Sequence, residues 1–294
     1  MYEAFYGLRE KPFSIQPDPD FLFMSKRHGM AYAMLEYTIR NKAGFAVICG
    51  EIGCGKTTLV RHLLNNLGPD VCIGLVSNTH QDIPDLLEWI MLAFGQPYDG
   101  LSPVAMYDAF QRFLIQQYAA RKRVLLIIDE AQNLSPAALE SLRMLSNINA
   151  DKDLLLQIVL VGQPQLKDIL GRPELRQFAQ RVAVQFFITP LEPAEVVQYI
   201  RHRLKAVGGD ERLFTLPACQ RIGEVSRGIP RTINILCDTL LVYGFAGEDR
   251  EIDVDLVEEA IRDQANFGVF ALDPPAPETT GGKTGKARHA IAKK

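Results

Sequence analysis

The stretch that decides the fold is FAVICGEIGCGKTTLVRHLLNNL, residues 45–67. Its first five residues form an apolar run that predicts a short buried strand. From residue 56 onward, leucine and valine recur at helical spacing. Between them, GEIGCGKT matches the phosphate-loop pattern G-x-x-x-x-G-K-[ST]. The order strand, glycine loop, helix favours a loop that holds the phosphates of a nucleotide over an accidental glycine turn.

The chemistry of this loop follows from its residue types. Glycines let backbone N–H groups turn toward the β- and γ-phosphates, and the helix N-terminus adds partial positive charge. Lys56 is expected to reach the terminal phosphates, and Thr57 to offer its hydroxyl to Mg²⁺.

Strands and helices alternate through the first two thirds of the chain. Helices are expected near 83–94, 103–120 and, after the Ser135 cap, up to about 147. This alternation predicts an α/β fold with a five-stranded parallel sheet and helices on both faces. Besides 45–49, the strands are expected at 71–76, 124–128, 156–161 and 182–188.

The pattern changes after Pro190, where only helical segments follow. They are expected near 193–207, 217–226, 230–245 and 253–264 and predict a small all-helical lid domain. At the other end, an aromatic, proline-rich segment precedes a helix over 26–40 that Ser25 would cap. The expected units are residues 1–42, packing on the core; 43–191, the α/β core; 192–268, the lid; and 269–294, a disordered tail.

Two acidic residues follow the apolar run VLLII. Asp129 stands at the end of that strand, where the Mg²⁺-associated carboxylate of a P-loop NTPase belongs. Glu130 comes next and could polarise a water for attack on the γ-phosphate. The alternative is a solvated acidic pair at a strand end. A catalytic glutamate here favours hydrolysis by water over transfer to another acceptor.

Three further positions carry side chains that could complete the site. Gln163 ends the fourth strand and could contact the γ-phosphate, provided that this strand lies between the first and the third; a simple turn before Pro164 explains it equally well. Arg181 precedes the fifth strand and could reach a neighbouring subunit's nucleotide, with Arg176 as its competitor and an exposed helix end as the alternative. Arg231 follows a proline that suits a first helical turn in the lid, and it could sense the γ-phosphate or simply lie on the surface.

These motifs together resemble those of the AAA+ ATPases. The stretch YGLREKPFSIQPDPDFLFMSKRH, residues 6–28, makes the resemblance more specific. With GEIGCGKTT, DEAQNLS, VLVGQPQL and SRGIPRTIN, it is similar to the ExeA/GspA-like group, the general secretion pathway protein A family. The similarity covers about residues 1–268. Full members of the group continue into a membrane span and a peptidoglycan-binding domain, so this sequence is expected to be a short form.

The resemblance implies roles for the residues already singled out. ATP and Mg²⁺ are the implied cofactors, with Thr57 and Asp129 on the metal and Glu130 as hydrolytic base. Gln163 would be sensor 1, Arg181 the finger acting in trans and Arg231 sensor 2. The segment from Phe13 to Phe21 would either cover adenine or only pack. The implied nucleotide-binding set is Gly50, Glu51, Ile52, Gly53, Cys54, Gly55, Lys56, Thr57 and Thr58.

The resemblance also implies a process and partners. An ATPase of this kind would form a ring or filament of copies of itself. It would assemble or remodel a type II secretion-like, exopolysaccharide or exosortase-associated system through a membrane-associated partner in trans. Two alternatives stay open: an ATP-dependent DNA-binding regulator of transposition, and a slow-turnover nucleotide switch.

Composition bounds these alternatives. Of 294 residues, 47% are hydrophobic and 23% charged, as in globular proteins with a core. A net charge of −3 and a pI near 6.0 offer no global positive field to DNA or anionic lipid. The start of the chain lacks a signal-peptide pattern, and no apolar run approaches the roughly 18–20 residues that span a bilayer. We therefore expect a cytoplasmic protein that meets the inner membrane only through a partner.

Overall fold

A parallel sheet of five strands forms the centre of the molecule. The computed structural model describes the backbone of residues 1–77, 86–150 and 153–267, and the side chains as far as Asp263. A separate antiparallel pair, too short to give a sequence pattern, was not predicted. The strands are β1 Phe45–Gly50, β2 Val71–Val76, β3 Arg123–Ile128, the short pair β4 Asn149–Ala150 and β5 Asp153–Leu154, β6 Leu156–Gly162 and β7 Val182–Ile188.

The large sheet has the strand order β2-β3-β6-β1-β7. Every residue of β1 and of β6 is buried, because helices cover both faces of these central strands. At the edge, β7 alternates buried and exposed residues. The parallel sheet and its five expected strands are thus confirmed. Because all five strands run parallel, their carboxyl ends lie together along one side of the sheet, which we call its carboxyl edge.

Twelve α-helices lie within the described residues. Four of the predicted helices begin with an N-cap whose side-chain hydroxyl accepts a hydrogen bond from a backbone N–H of the first turn. These N-caps are Ser25, Ser102, Ser135 and Thr215. The helices are α1 Tyr2–Tyr6, α2 Lys26–Arg40, α3 Lys56–Asn65, α4 Leu86–Ala93, α5 Pro103–Ala119, α6 Pro136–Leu145, α7 Gln165–Leu170, α8 Arg176–Ala179, α9 Pro193–Ala206, α10 Leu216–Ser226, α11 Pro230–Ala246 and α12 Val254–Phe267.

Three helices depart from the sequence expectations. The helices α1, α7 and α8 were not predicted, because five, six and four residues are too few to show a helical period. The start expected near residue 83 for α4 and the tail expected at 269–294 lie outside the described residues. No helix in the described ranges combines the length and apolar character needed to cross a lipid bilayer.

The helices α9 to α12 pack around a hydrophobic cluster of their own. Its fully buried members include Ile200, Leu204, Ile222, Ile233 and Leu240. This C-terminal helical region follows β7 directly, as the sequence predicted. The chain crosses from the sheet to this region at Leu191, whose N–H donates to the Gly228 carbonyl at 2.9 Å.

The first 42 residues divide between two clusters. Tyr2, Leu8, Phe13 and Phe21 join the cluster of the C-terminal helices rather than that of the sheet. In contrast, α2 buries Ala31, Leu35 and Ile39 against the sheet. The N-terminal segment therefore packs against the helical region. The chain first reaches the sheet with α2, which begins after Ser25.

A buried arginine holds the N-terminal segment in place. Arg203 of α9 is only 5% exposed. Its Nε donates to the Pro12 carbonyl at 2.5 Å, one of its Nη atoms donates to the Ser14 carbonyl at 3.0 Å, and its guanidinium lies 4.4 Å from the centre of the Phe21 ring. Neutral carbonyls and an aromatic face therefore contact this cation directly.

Replacing Arg203 with methionine is expected to lower the free energy of unfolding by about 2–4 kcal/mol, because the buried Pro12 carbonyl loses its donor and the Ser14 carbonyl keeps only the one from Asn234. Urea unfolding followed by circular dichroism measures the change. Arg201→Met, on the exposed side of the same helix, is the matched control and should stay within about 0.5 kcal/mol of wild type. Equal stability of the two variants would contradict the anchoring role.

Candidate nucleotide-binding site

The glycine loop joins β1 to α3 at the carboxyl edge of the sheet. Gly53 and Gly55 have φ of 81° and 84°, a left-handed conformation that favours glycine. Gly53 also packs closely against the start of α11, since a Cβ on Gly53 would lie 2.6 Å from Cβ of Arg231. The loop thus needs glycine for its backbone turn and for its contact with the helical region.

Lys56 begins α3 and points back into the loop. Its side chain is buried, and its Nζ donates to the carbonyl oxygens of Gly50 at 2.8 Å and Glu51 at 2.9 Å. These neutral acceptors place a full positive charge beside the loop without neutralising it. The electrostatics of the loop therefore suit an anion.

Thr57 and Asp129 present adjacent oxygen atoms next to this charge. The Thr57 hydroxyl donates to Oδ2 of Asp129 at 2.9 Å, and Oδ1 of Asp129 accepts the Glu130 N–H at 2.9 Å. Burial raises the pKa of Asp129, while the hydrogen bonds from Thr57 and from the Glu130 backbone lower it. A hydroxyl and a carboxylate are hard oxygen ligands, so this pair fits Mg²⁺.

Glu130 is held by two glutamine side chains. Its φ is 54°, an uncommon conformation for a residue with a side chain. Its Oε2 accepts from Nε2 of Gln132 at 2.5 Å and from Nε2 of Gln163 at 3.0 Å. The Gln163 N–H in turn donates to Oε1 of Gln132 at 2.9 Å. Sequence reasoning missed Gln132, whose only local signal is its position two residues after Glu130.

The strand order explains why Gln163 meets Glu130. Gln163 follows β6, and β6 lies between β1 and β3. The condition on which the sequence-based placement of Gln163 depended is therefore met.

The start of α11 brings Arg231 to the same place. The helix begins at Pro230, as predicted, and the Arg231 N–H donates to the Gly53 carbonyl at 3.2 Å. A cleft opens between the loop, the helical region and the N-terminal segment. Lys56, Thr57, Glu130 and Arg231 line it, together with residues 14–18 and 21–23 of the N-terminal segment.

Arg176 and Arg181 lie away from this cleft. Both precede β7 and therefore lie near the opposite edge of the sheet, about 20 Å from the glycine loop for a seven-residue strand. Arg181 is exposed and donates to Oγ of Ser146 at 2.9 Å. Neither arginine is among the residues that line the cleft.

Two buried side chains near the loop complete the site. Cys54 is fully buried, and burial raises its pKa to about 11, so its thiol stays protonated and serves as a small filler. His28 of α2 makes a hydrogen bond of 2.8 Å to the Cys54 carbonyl. Sequence reasoning missed His28, because 26 residues separate it from its partner.

Comparisons with known proteins agree with this geometry. Residues 39–170 match the family described as an AAA domain. The chain is similar to General secretion pathway protein A from Aeromonas hydrophila, with 41% identity over 276 residues. The match takes in 91% of this chain and 50% of that protein, so the chain spans about half the length of this curated relative.

Solved structures share the fold at low sequence identity. The chain resembles the ORC2 protein of Aeropyrum pernix with a TM-score of 0.65 at 17% identity, covering 86% of this chain and 71% of that one. For Cdc6p of Pyrobaculum aerophilum, the TM-score is 0.66 at 18% identity, with coverage of 84% and 70%. Together with the match to an AAA domain, these likenesses show an AAA-type fold with a C-terminal helical region.

Proposed function

Because the chain has an AAA-type P-loop fold and is related to General secretion pathway protein A, we propose that it binds ATP and hydrolyses it to ADP and phosphate. The observation that carries this proposal is the meeting of an anion site, a pair of metal ligands and a candidate base. Lys56, Thr57 and Glu130 supply these parts from the lining of one cleft, together with Asp129, which accepts a hydrogen bond from Thr57. We further propose that residues 43–191 form the nucleotide-binding core and 192–268 the lid.

Each side chain has a proposed task. Residues 50–58 hold the phosphates through backbone N–H groups, and Lys56 contacts the terminal ones. Thr57 and Asp129 hold Mg²⁺, which neutralises charge that develops on the phosphate oxygens. The Glu130 carboxylate accepts the proton of the attacking water. Gln163 and Arg231 position the water or the terminal phosphate from β6 and from the lid.

Turnover is proposed to need a second copy of the chain. Arg181 precedes β7, at the end of the sheet opposite the cleft, so the nucleotide proposed for it is that of a neighbouring copy. An arginine supplied in trans stabilises charge in the transition state of phosphoryl transfer. The proposed assembly is a ring or filament in which each site is completed by the next subunit.

Arg181→Ala is expected to lower ATP turnover by at least about 100-fold while leaving ATP affinity within threefold. Mixing it with Lys56→Ala should restore part of the activity, because one site in the mixture pairs an intact loop with an intact finger. Steady-state phosphate release at several mixing ratios measures this. Arg172→Ala, an exposed arginine in the same region, is the control. Absence of rescue at every ratio would count against the trans arrangement, and the same test on Arg176→Ala decides between the two arginines.

The proposed process is secretion or export across the cell envelope. It is supported by the relative's name, General secretion pathway protein A, and by 41% identity over 91% of this chain. ATP binding and hydrolysis would drive the assembly or remodelling of a secretion or export system through a membrane-associated partner.

Two measurements test the function. Purified protein should release phosphate from ATP in a Mg²⁺-dependent manner, and an ATP-dependent pull-down from membranes of the source cell should retain a membrane protein. A gel shift with duplex DNA at two salt concentrations runs beside them. ATP-dependent, salt-sensitive DNA binding without membrane capture would favour a DNA regulator instead, and failure to bind nucleotide would refute the ATPase proposal itself.

A further inference from the structure

His28 lies where the first turn of α2 meets the glycine loop. It is 3% exposed. Its backbone N–H donates to Oγ of Ser25, the N-cap residue, at 3.3 Å, and its Nδ1 lies 2.7 Å from the same oxygen. Its Nε2 lies 2.8 Å from the Cys54 carbonyl oxygen. Both ring nitrogens therefore have a partner.

These partners define the tautomer. A carbonyl oxygen only accepts, so Nε2 must carry a proton and donate to Cys54. In the neutral ring Nδ1 is then an acceptor, and the Ser25 hydroxyl donates to it while accepting the His28 backbone N–H. Burial lowers the pKa of His28, although the bond to Cys54 opposes this shift. The neutral ring satisfies every hydrogen bond at this position.

The bond to Cys54 fixes one peptide plane of the loop. In a trans peptide the C=O and N–H groups point in opposite directions. Holding the Cys54 carbonyl toward α2 therefore turns the Gly55 N–H away from α2. That N–H makes no hydrogen bond to any described residue. It belongs to the loop whose N–H groups hold phosphate.

The His28 ring also packs directly against the glycine loop. A Cβ on Gly55 would lie 3.1 Å from Nε2 of His28, so the imidazole packs directly on the glycine whose φ is 84°. Ordinary packing would explain a buried ring here. It would not require a donor at Nε2 directed at a loop carbonyl.

We propose that His28 is a positioning residue for phosphate binding, which holds the Cys54–Gly55 peptide so that the Gly55 N–H faces the nucleotide phosphates. This inference rests on the proposed nucleotide binding. It makes α2, rather than only the loop and α3, part of the phosphate site. His28 lines the same cleft as the loop, and the role proposed for it is to orient this peptide through its bond to the Cys54 carbonyl.

The test compares donors of different length at position 28. His28→Ala and His28→Asn should weaken ADP binding about tenfold. In both variants the Cys54 carbonyl loses its donor, so the Cys54–Gly55 peptide is no longer held in one orientation. His28→Gln should stay within about threefold of wild type, since its amide places an N–H near the position of Nε2. Calorimetric titration with ADP measures these affinities at a temperature where circular dichroism shows each variant folded. His62→Ala, a histidine of α3 that packs on Tyr32, is the matched control and should bind as wild type does.

A merely structural role predicts a different outcome. The melting temperature of His28→Ala would then fall while its ADP affinity stayed within twofold of wild type, and this result would overturn the proposal. If the alanine variant does not fold, the asparagine and glutamine variants decide, and equal ADP affinity of these two would overturn it as well. Wild-type protein that binds no ADP would refute the proposed function instead.

Discussion

Lys56→Ala is expected to raise the Kd for ATP and for ADP by at least about 100-fold, which corresponds to about 3 kcal/mol. The buried ammonium is the positive side chain at the centre of the loop, and its two carbonyl partners leave its charge available to an anion. Alanine keeps the helix start but removes the charge. Titration with a fluorescent ADP analogue measures the loss.

Stability separates this effect from unfolding. In the structure Lys56 donates to the buried carbonyl of Gly50 and to the partly buried carbonyl of Glu51, so its removal is expected to lower the melting temperature without nucleotide. The additional stabilisation by ADP should disappear as well, whereas a purely structural loss would leave that stabilisation in place. Lys205→Ala on the exposed face of α9 is the matched control and should bind normally. ATP binding by Lys56→Ala within threefold of wild type would remove this lysine from the phosphate site.

Glu130→Gln is expected to bind ATP normally and to lower the turnover rate by about 10²–10⁴-fold, the usual contribution of a general base. The substitution keeps the shape of the side chain. The remaining amide oxygen can still accept from Nε2 of Gln132 and of Gln163, so the cluster around it should persist. What is lost is the carboxylate that takes the proton from water.

The experiment compares the rate of a single ATP turnover with the steady-state rate of hydrolysis. Equilibrium titration gives ATP affinity, and rapid-quench analysis gives the rate of the chemical step. Glu140→Gln, a half-buried glutamate of α6 paired with Arg143, should hydrolyse ATP at the wild-type rate. Full turnover by purified Glu130→Gln would disprove its assignment as base. Weakened ATP binding with an unchanged chemical step would indicate an effect on the loop instead.

The parts of the site that the sequence predicted depend on local pattern. A strand, a glycine loop and a helix contiguous in the chain already place Lys56 and Thr57 at a helix start. The run VLLII placed Asp129 at the end of a buried strand in the same way. For Gln163 the sequence supported only a conditional prediction, because neighbours in a sheet are not neighbours in the chain.

The parts that sequence reasoning missed depend on contacts between distant segments. Gln132 joins Glu130 to Gln163 across 31 residues, and His28 meets Cys54 across 26. Arg203 bonds to Pro12 across 191 residues, which ties the N-terminal segment to the helical region. Each is an ordinary polar residue on a helix or loop when read locally.

The sequence by itself therefore determined the α/β sheet, the helical region after it, and the residues that we propose to meet phosphate and metal. These follow from hydrophobic period, glycine and cap signals, which act within a few residues. Only the tertiary structure decided which side chains support the site and which edge Arg181 occupies. Hydrogen bonds over a few ångströms form only after packing has brought remote segments together, so no short stretch of sequence encodes them.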